Sequence, residues 1–435
     1  MKEQISIPTS KVQRASKFVK TGAKVGGNYI KHYSKKLFDP SLTRDELDAD
    51  NAEDIYESLS QLKGSALKVA QMLSMDKNVL PTPYQNKFSL SQYSAPPLSY
   101  PLVVKTFNKY FDKTPEEIFD SFSKKAVNAA SIGQVHQATV NGKRLAVKIQ
   151  YPGVAESISS DLKIVKPIAA QMFKISTAEL NQYIGEVEEK LIEETNYSLE
   201  LERSIDLTRR SSHLKGIVFP KYYPRYSSER ILAMDWIDGD HIKEWLVSNP
   251  GQETRNKIGQ ALWDFYDHQI HILKQVHADP HPGNFIITED DQLGIIDFGC
   301  VKVIPEDFYM QYFTLMRHDV LDESYDLEAL FLQLGFLTSQ DSKKERDFFM
   351  KIFKEMIELL GRPFRNEIFD FGDDTYFNHI YEVGERVSKM KEIRNSKSAR
   401  GNRHGLYVNR TYFGLYNLLN ELKAEVQTGQ LTAVQ

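Results

Sequence analysis

The segment between His277 and Gly299 places metal-binding residue types on both sides of a short apolar hairpin. Asp279 precedes the hairpin, Asn284 lies five positions later at the start of the first apolar run, and Asp297 follows the second run, 18 positions after Asp279. Two short apolar runs separated by polar residues predict paired strands, which would bring the two ends of the segment together. Carboxylate and amide oxygens are the ligands that Mg²⁺ prefers. The sequence therefore predicts a divalent-cation site assembled by one hairpin.

The same spacing is typical of the active site of protein kinases. There, the Asp of the catalytic loop orients the acceptor, the Asn five positions later holds a metal ion, and an Asp-Phe-Gly segment holds Mg²⁺ against the phosphates of ATP. Two alternatives remain at this point. Turns use Asp and Gly freely, and His277, Asp279 and His281 could instead form a transition-metal cluster. The joint occurrence of both segments favours the kinase-like site.

A second hairpin is predicted earlier in the chain, where a phosphate-binding lysine would be needed. Gln134 to Val140 and Arg144 to Gln150 are rich in β-formers and are separated by Asn141-Gly142. This dipeptide is the strongest short hairpin signal, because both turn positions favour a positive φ.

Lys148 lies on the second strand of this hairpin, in the otherwise apolar run Leu145 to Ile149. It resembles the strand lysine with which kinases contact phosphates, and it would pair with a helical glutamate. The alternative is an exposed strand lysine, the commoner position for this residue type. The segment from Leu191 to Glu202, predicted as one acidic helix, offers the candidate partners Glu193, Glu194 and Glu200.

Helical periodicity dominates much of the remaining chain. The pattern predicts a helix-leaning arm over 1–40 interrupted at Gly26-Gly27, helix over 43–78, a short helix over 101–122 and mostly helix after residue 241. The composition, 41% hydrophobic and 26% charged, is that of an ordinary globular protein. The single cysteine, Cys300, excludes an intrachain disulfide, and no apolar run of 18 residues or secretory leader is recognised. We therefore expect an intracellular protein, either cytoplasmic or peripherally bound to a membrane.

The N-terminal arm is strongly basic. Between Lys11 and Lys36 there are eight Lys or Arg residues and no Asp or Glu, so the net charge of −4 leaves −12 for all other residues. The arm could bind anionic lipid or an acidic partner, or it could dock on the protein's own acidic surface. No zinc-finger spacing or aromatic RNA-binding pattern is found, so nucleic acid is not expected as a partner. The sequence leaves the oligomeric state open.

The loop before the second hairpin departs from ordinary kinases, because it has one glycine and two alanines where a glycine-rich loop would wrap phosphates. It reads Ala129, Ala130, Ser131, Ile132, Gly133, Gln134, Val135, His136. With this loop and the run from Lys148 to Val154, the chain resembles the UbiB/AarF/ADCK family of atypical kinases. Leu67 to Ser74 resembles the Lys-x-Gly-Gln signature of that family, and Glu194 to Glu200 resembles its Glu-x-Asp element and helical Glu.

The resemblance implies an α+β, bilobal protein-kinase-like fold with an N-terminal helical extension folded over the active site. It implies ATP and Mg²⁺ as cofactors. The expected activity is ATP hydrolysis, or phosphorylation of a small or lipid substrate such as a quinone precursor, rather than protein phosphorylation. The implied domains are a basic arm (1–40), the extension (41–122), an N-lobe (123–237) and a helical C-lobe (238–435).

The resemblance also implies roles for individual residues. Lys148 would pair with Glu200 and contact phosphates, and Asp279 would be the catalytic-loop Asp. Asn284 and Asp297 would ligate Mg²⁺. The implied nucleotide-binding set is Ala129, Ala130, Ser131, Gly133, Gln134, Lys148, Lys68, Gln71 and Glu194. The chain departs from the family signatures at two positions, with Ala70 in place of Gly and Asn196 in place of Asp, and both bear on how tightly the extension docks.

Two other functions remain open for such a site. A small-molecule phosphotransferase resembling the aminoglycoside and choline kinases would share the catalytic loop and the following metal Asp. A non-catalytic nucleotide-binding scaffold would keep the fold without turnover. The Lys68–Gln71 segment and the Ala-rich loop argue against the first. The second is disfavoured by a complete set of active-site residues: Lys148, Asp279, Asn284 and Asp297.

Overall fold

The computed structural model describes residues 11–36, 39, 44–62, 83, 87, 97–129, 132–173, 184–185, 188–189, 191–317, 319–322, 325–394 and 400–429. The chain divides into two compact units. The first contains the residues up to Ile205 together with Lys221–Trp236, and the second contains Asp206–Pro220 and the residues from Ile237 onward. In the part of the chain that is described, no helix is long and apolar enough to cross a membrane.

Helices and strands are numbered in chain order over the described residues. The helices are α1 (Lys11–Lys36), α2 (Arg44–Leu62), α3 (Tyr100–Phe111), α4 (Pro115–Ile118), α5 (Val154–Phe173), α6 (Tyr197–Ser211), α7 (Ile242–Val247), α8 (Gln252–Asp267), α9 (Glu306–Thr314), α10 (Leu327–Gln333), α11 (Lys343–Leu360), α12 (Asp374–Lys389), α13 (Lys391–Arg394) and α14 (Arg403–Leu422). The strands are β1 (Ser121–Phe122), β2 (Asn128–Ala129), β3 (Gly133–Val140), β4 (Lys143–Gln150), β5 (Ile217–Val218), β6 (Ile231–Asp235), β7 (Asp240–His241), β8 (Gln275–His277), β9 (Phe285–Ile287), β10 (Leu293–Ile295), β11 (Val301–Val303), β12 (Ile368–Asp370) and β13 (Glu425–Gln427). The mixture of helix and strand agrees with the predicted α+β, kinase-like fold class.

The sheet of the first unit confirms the predicted hairpin. Its order is β1-β3-β4-β6, with β2 paired to β3, and all pairs are antiparallel. Asn141 and Gly142 form the turn between β3 and β4 with φ of 50° and 75°. One face of the sheet packs on α3 in a core that includes Val103, Phe107, Leu145, Val147 and Ile149. Because side chains alternate along a strand, Lys148 lies on the opposite face.

Helix α1 runs through Gly26 and Gly27, so the predicted interruption is wrong. A glycine in a helix interior costs about 1 kcal/mol relative to alanine, a cost that tertiary contacts readily offset. Helix α1 has such contacts with the acidic helix α2: Lys24 Nζ lies 2.5 Å from Asp54 Oδ1, and Asn28 Nδ2 donates to Asp54 Oδ2 at 2.8 Å.

The other two predicted N-terminal helices have different bounds in the structure. The helix predicted over 43–78 is present as α2, and residues 63–78 lie outside the described residues. The helix predicted over 101–122 ends at Phe111, because Asp112 adopts a left-handed conformation with φ of 54°. The short helix α4 and the strand β1 then occupy the rest of that range.

The second unit contains a four-stranded sheet in the order β5-β10-β9-β7. Strands β9 and β10 are antiparallel, which confirms the hairpin predicted over Asn284–Ile287 and Leu293–Ile296. A separate pair, β8 with β11, places Val301 opposite His277. These two pairings fix the chain on both sides of the segment that carries the predicted metal ligands.

Candidate active site

Lys148 contacts a buried glutamate of helix α6. Its Nζ donates to Glu200 Oε1 at 2.7 Å and lies 5.0 Å from the centre of the Tyr197 ring. The side chains of Lys148 and Glu200 are 17% and 3% exposed. Removing one partner from so buried a pair would leave an uncompensated charge, at a cost of about 3–5 kcal/mol. Of the three glutamates that the sequence offers, Glu200 is therefore the partner in this structure, while Glu193 accepts from Arg203 at 3.4 Å.

The helix that carries Glu200 begins at Tyr197, so the single helix predicted from Leu191 to Glu202 is wrong. The helical residues 191–194 end in a turn at Thr195. Asn196 Oδ1 then accepts from the backbone N–H of Leu199 at 3.1 Å and caps the new helix. Asn and Asp are equally good at this position. The Asn196 departure from the family signature therefore preserves the cap of the helix that holds Glu200.

The break between the two helical segments is attached to the central sheet. The carbonyl oxygen of Thr195 accepts from Gln150 Nε2 at 2.9 Å and from Arg230 Nη1 at 2.7 Å. Gln150 lies two residues after Lys148 on the same face of β4, so these bonds fix the start of α6 relative to the strand of the lysine. The roles of Gln150 and Arg230 could not be predicted from the sequence. Their contacts with Thr195 join residues 45 and 35 positions apart, and no recognisable motif marks them.

Gly133 marks the point at which the Ala-rich loop enters strand β3. A Cβ at this position would lie 2.7 Å from the carbonyl oxygen of Ile149 and 2.8 Å from the hydroxyl of Tyr197. Both distances are well inside van der Waals contact, so glycine is required for close approach rather than for a positive φ. Ala129 lies opposite Gln134 in the β2–β3 ladder.

Gln134 has a buried side chain with partners inside the first unit. Its Oε1 accepts from the backbone N–H of Leu98 at 2.7 Å, and its Nε2 lies 2.8 Å from His136 Nε2. Burial lowers the pKa of His136, which keeps this ring neutral near pH 7. The nucleotide contact predicted for Gln134 stays a prediction. Glu194 is also buried. The remaining members of the predicted set, Lys68, Gln71, Ala130 and Ser131, and the departure at Ala70, lie outside the described residues.

Backbone hydrogen bonds bring the two halves of the second unit's site together. The N–H of Ala278 donates to the carbonyl of Cys300 at 2.8 Å, and the N–H of Ile296 donates to the carbonyl of Asn284 at 3.1 Å. Asp279 and Asp297 each directly follow one of these donors in the sequence. The structure therefore brings Asp279, Asn284 and Asp297 into one region, as the spacing of the segment predicts.

The orientation of Asn284 fits the role of a metal ligand. Its Nδ2 donates to the backbone carbonyl of Asp279 at 2.9 Å, which leaves the amide oxygen, a hard ligand, for a cation. Asp297 accepts from the backbone N–H of Gly299 at 2.8 Å through Oδ1. One carboxylate and one amide oxygen, next to a second carboxylate, form a set of oxygen donors of the kind that Mg²⁺ prefers.

The transition-metal alternative has no support among the described residues, where no group of three His, Cys, Asp or Glu side chains could hold a metal. His277 is fully buried, with Nδ1 3.3 Å from the hydroxyl of Tyr266. Nδ1 of His281 accepts from the backbone N–H of Gly283 at 3.0 Å. His277 therefore contacts helix α8, and His281 contacts the backbone of its own loop.

The chain is similar to several known proteins. The sequence profile described as the ABC1 atypical kinase-like domain matches residues 90–327. The mitochondrial atypical kinase COQ8 of Saccharomyces cerevisiae is 30% identical over 86% of this chain and 76% of its own length. The probable serine/threonine-protein kinase abkA of Dictyostelium discoideum is 28% identical over 88% of this chain and 71% of its own length.

A solved structure agrees with these sequence matches. The complex of Rv3197 with erythromycin from Mycobacterium tuberculosis has a TM-score of 0.58 and 26% identity, over 88% of this chain and 95% of that one. The profile covers more than half of the 435 residues. This chain belongs to the ABC1, or UbiB/AarF/ADCK, family of atypical kinases.

Proposed function

We propose that this chain is a Mg²⁺-dependent enzyme that binds ATP and either hydrolyses it or transfers its γ-phosphoryl group to a small or lipid substrate. The observation that carries the proposal is the backbone pairing within and beside the His277–Gly299 segment. The hydrogen bonds Ala278–Cys300 and Ile296–Asn284 bring Asp279, Asn284 and Asp297 close together. The buried Lys148–Glu200 pair supports it. A link to quinone metabolism rests on the family resemblance, and the cellular location, cytoplasmic or peripheral to a membrane, is part of the proposal.

Each residue has a defined role in this proposal. Glu200 holds the ammonium group of Lys148, which contacts the phosphates and offsets their charge. Asn284 and Asp297 hold Mg²⁺, which supplies electrostatic stabilisation of the charge on the transferred phosphoryl group. Asp279 orients the nucleophile, a water molecule in hydrolysis or a substrate hydroxyl in transfer.

ATP turnover by the Asp297→Asn variant tests the proposal. We expect this change to abolish turnover, because it removes a charged metal ligand at nearly constant volume. The matched control is Asp290→Asn, an exposed position in the turn between β9 and β10, which should turn over ATP like the parent. Hydrolysis by Asp297→Asn at the parental rate would show that the site assignment is wrong.

The assay also separates the proposal from its two rivals. Rapid phosphorylation of a soluble alcohol would favour a phosphotransferase of the aminoglycoside or choline kinase type. Mg²⁺-dependent ATP binding without any turnover, tested with and without lipid and quinone-precursor additives, would favour the scaffold.

We also propose that helix α1 binds an anionic membrane surface. Val19, Ala23, Gly26, Ile30 and Tyr33 recur at alternating spacings of four and three residues and are all exposed, with Val19 and Ile30 both 72% exposed. This face is separate from the residues that contact α2. Exposed lysines flank it at positions 20 and 36. An exposed apolar stripe bordered by lysines is the pattern of an interfacial helix.

Cosedimentation with vesicles tests the membrane proposal. The parent should bind vesicles of phosphatidylcholine mixed with an anionic phospholipid, and it should bind pure phosphatidylcholine weakly. The double variant Val19→Asp, Ile30→Asp should lose binding, whereas Val247→Asp, at a position 85% exposed on another helix, should retain it. Equal binding by parent and double variant would refute the proposal.

A further inference from the structure

The helix α14, Arg403–Leu422, packs directly on the loop that carries Asp279. A Cβ placed on Gly414 would lie 2.2 Å from Cγ and 2.9 Å from Cβ of Pro280, the residue after Asp279. Any side chain at position 414 must therefore displace the helix or the loop. For Gly405, on the same helix, the nearest atom to such a Cβ lies at 3.6 Å, an ordinary van der Waals distance. The close approach is thus specific to the part of the helix that faces the loop.

Arg410, about one turn before Gly414, lies beside the carboxylate of Asp279. Its Nη2 is 3.9 Å from Asp279 Oδ1, and the two side chains are 28% and 24% exposed. Asn284 Nδ2 lies 3.5 Å from the other carboxylate oxygen, Oδ2. The two oxygens of Asp279 therefore face different partners, a guanidinium on one side and an amide on the other.

Tyr407, on the same face of α14 as Arg410 and Gly414, contacts strand β11, which follows Asp297 in the chain. The ammonium group of Lys302 lies 5.3 Å from the centre of the Tyr407 ring. Lys302 is in β11, where it pairs with Val276 of β8. Tyr407, Arg410 and Gly414 are spaced i, i+3 and i+7, which places them along one helix face. This face therefore contacts the Asp279 loop at two points and strand β11 at a third.

We propose that Arg410 is a positioning residue for Asp279. The face of α14 formed by Tyr407, Arg410 and Gly414 supports the loop that carries this aspartate. The proposal rests on the proposed function, since the role of Asp279 in orienting a nucleophile belongs to it. Arg410 acts through Asp279: its positive charge holds the carboxylate in one orientation, and Gly414 lets the helix approach closely enough for that contact. Nothing in the local sequence marks Arg410, which follows Asp279 by 131 positions.

Two substitutions of Arg410 separate a charge effect from a packing effect. Arg410→Met keeps much of the side-chain length and removes the charge, while Arg410→Lys keeps the charge. We expect Arg410→Met to lower kcat for ATP turnover about 10- to 100-fold with KM for ATP within about twofold of the parent, because the nucleophile is misaligned while ATP binding is retained. Arg410→Lys should retain a third or more of the parental kcat. Equal damage by both variants, or a parental kcat in Arg410→Met, overturns the proposal.

Hydrogen exchange of the loop gives a second readout that does not need turnover. Amides of residues 275–285 should exchange faster in Arg410→Met and in Gly414→Ala than in the parent, and should be unchanged in Arg410→Lys and in the control Gly405→Ala. If the parent fails to turn over ATP but this pattern holds, the proposed function fails and the positioning contact stands. If loop exchange is the same in all variants, the positioning proposal fails even if the parent is an active enzyme.

Discussion

Lys148 and Glu200 form an ion pair in the first unit whose two charged side chains are largely removed from solvent. Glu200 is 3% exposed, yet its carboxylate lies 2.7 Å from the ammonium group of Lys148 on a neighbouring strand. An ion pair this buried contributes little net stability, because the cost of desolvation opposes the attraction. Its value is positional, since it holds a flexible lysine at one point of the sheet face opposite the core.

We predict that Glu200→Gln lowers kcat/KM for ATP by about 10- to 100-fold, equivalent to about 1.4–2.8 kcal/mol of transition-state stabilisation. The amide keeps the shape of the side chain but no longer fixes the ammonium group by charge. Glu202→Gln is the matched control, because residue 202 is exposed on the same helix. Steady-state ATP turnover measures the effect, and a parental value for Glu200→Gln would remove Glu200 from the site.

At the scale of elements, the sequence predicts those helices, strands and turns whose conformation depends on residues adjacent in the chain. Asn141-Gly142 predicts the β3–β4 turn because both backbone conformations are properties of those two residues. The two short apolar runs on either side of polar residues 288–292 likewise predict the β9–β10 hairpin. The break at Thr195–Asn196 and the path of α1 through Gly26 depend instead on contacts with distant residues. Arg410 could not be predicted for the same reason, since only the folded chain places it near Asp279.

The approach of Gly133 to strand β4 gives a prediction about the sheet. Gly133→Ala should lower the free energy of unfolding by about 1–3 kcal/mol, because the new methyl group would lie 2.7 Å from a backbone oxygen. The thermal midpoint should fall accordingly. At Gly26, a new Cβ would meet no atom of another segment within 4 Å, so Gly26→Ala should leave the midpoint unchanged or raise it, since alanine favours helix by up to about 1 kcal/mol. Thermal melts of both variants check this, and the opposite ranking would contradict the loop geometry.

A buried ion pair braces the second unit and makes its stability depend on pH. Asp341 is 5% exposed and accepts two hydrogen bonds from Arg400, at 2.7 and 2.8 Å. The Arg400 guanidinium lowers the pKa of Asp341 well below its usual range. A carboxyl whose pKa is lower in the folded state stabilises the fold above its unfolded pKa of about 3.9, and this contribution is lost as the pH falls further.

We therefore predict that Asp341→Asn costs about 2–4 kcal/mol near pH 7, because it leaves the guanidinium without its charged partner. The difference in thermal midpoint between parent and variant should stay constant from about pH 5 to 8 and shrink below about pH 4, where the Asp341 carboxyl of the unfolded chain begins to protonate. Thermal melts across this range test it. A difference that grows as the pH falls would have the wrong sign for this ion pair.

At the scale of the whole molecule, each of the two units positions its own group of residues that we propose to bind ATP or Mg²⁺. Lys148 and Glu200 lie in the first, and Asp279, Asn284 and Asp297 lie in the second. Each group is positioned by its own unit: the first by the sheet and the capped helix α6, the second by the backbone bonds of the hairpin segment and by α14. ATP recognition should therefore have two separable parts, a lysine contact that needs no metal and a metal contact that needs Asp297.

Calorimetric titration of ATP into the parent and into Asp297→Asn, each with Mg²⁺ and with EDTA, tests this division most directly. We predict that Mg²⁺ tightens ATP binding by the parent at least about tenfold, or about 1.4 kcal/mol. Asp297→Asn should bind ATP in EDTA as the parent does and should gain nothing from Mg²⁺. A variant that keeps the full Mg²⁺ enhancement would show that Asp297 is not a metal ligand, and the assigned site would be wrong.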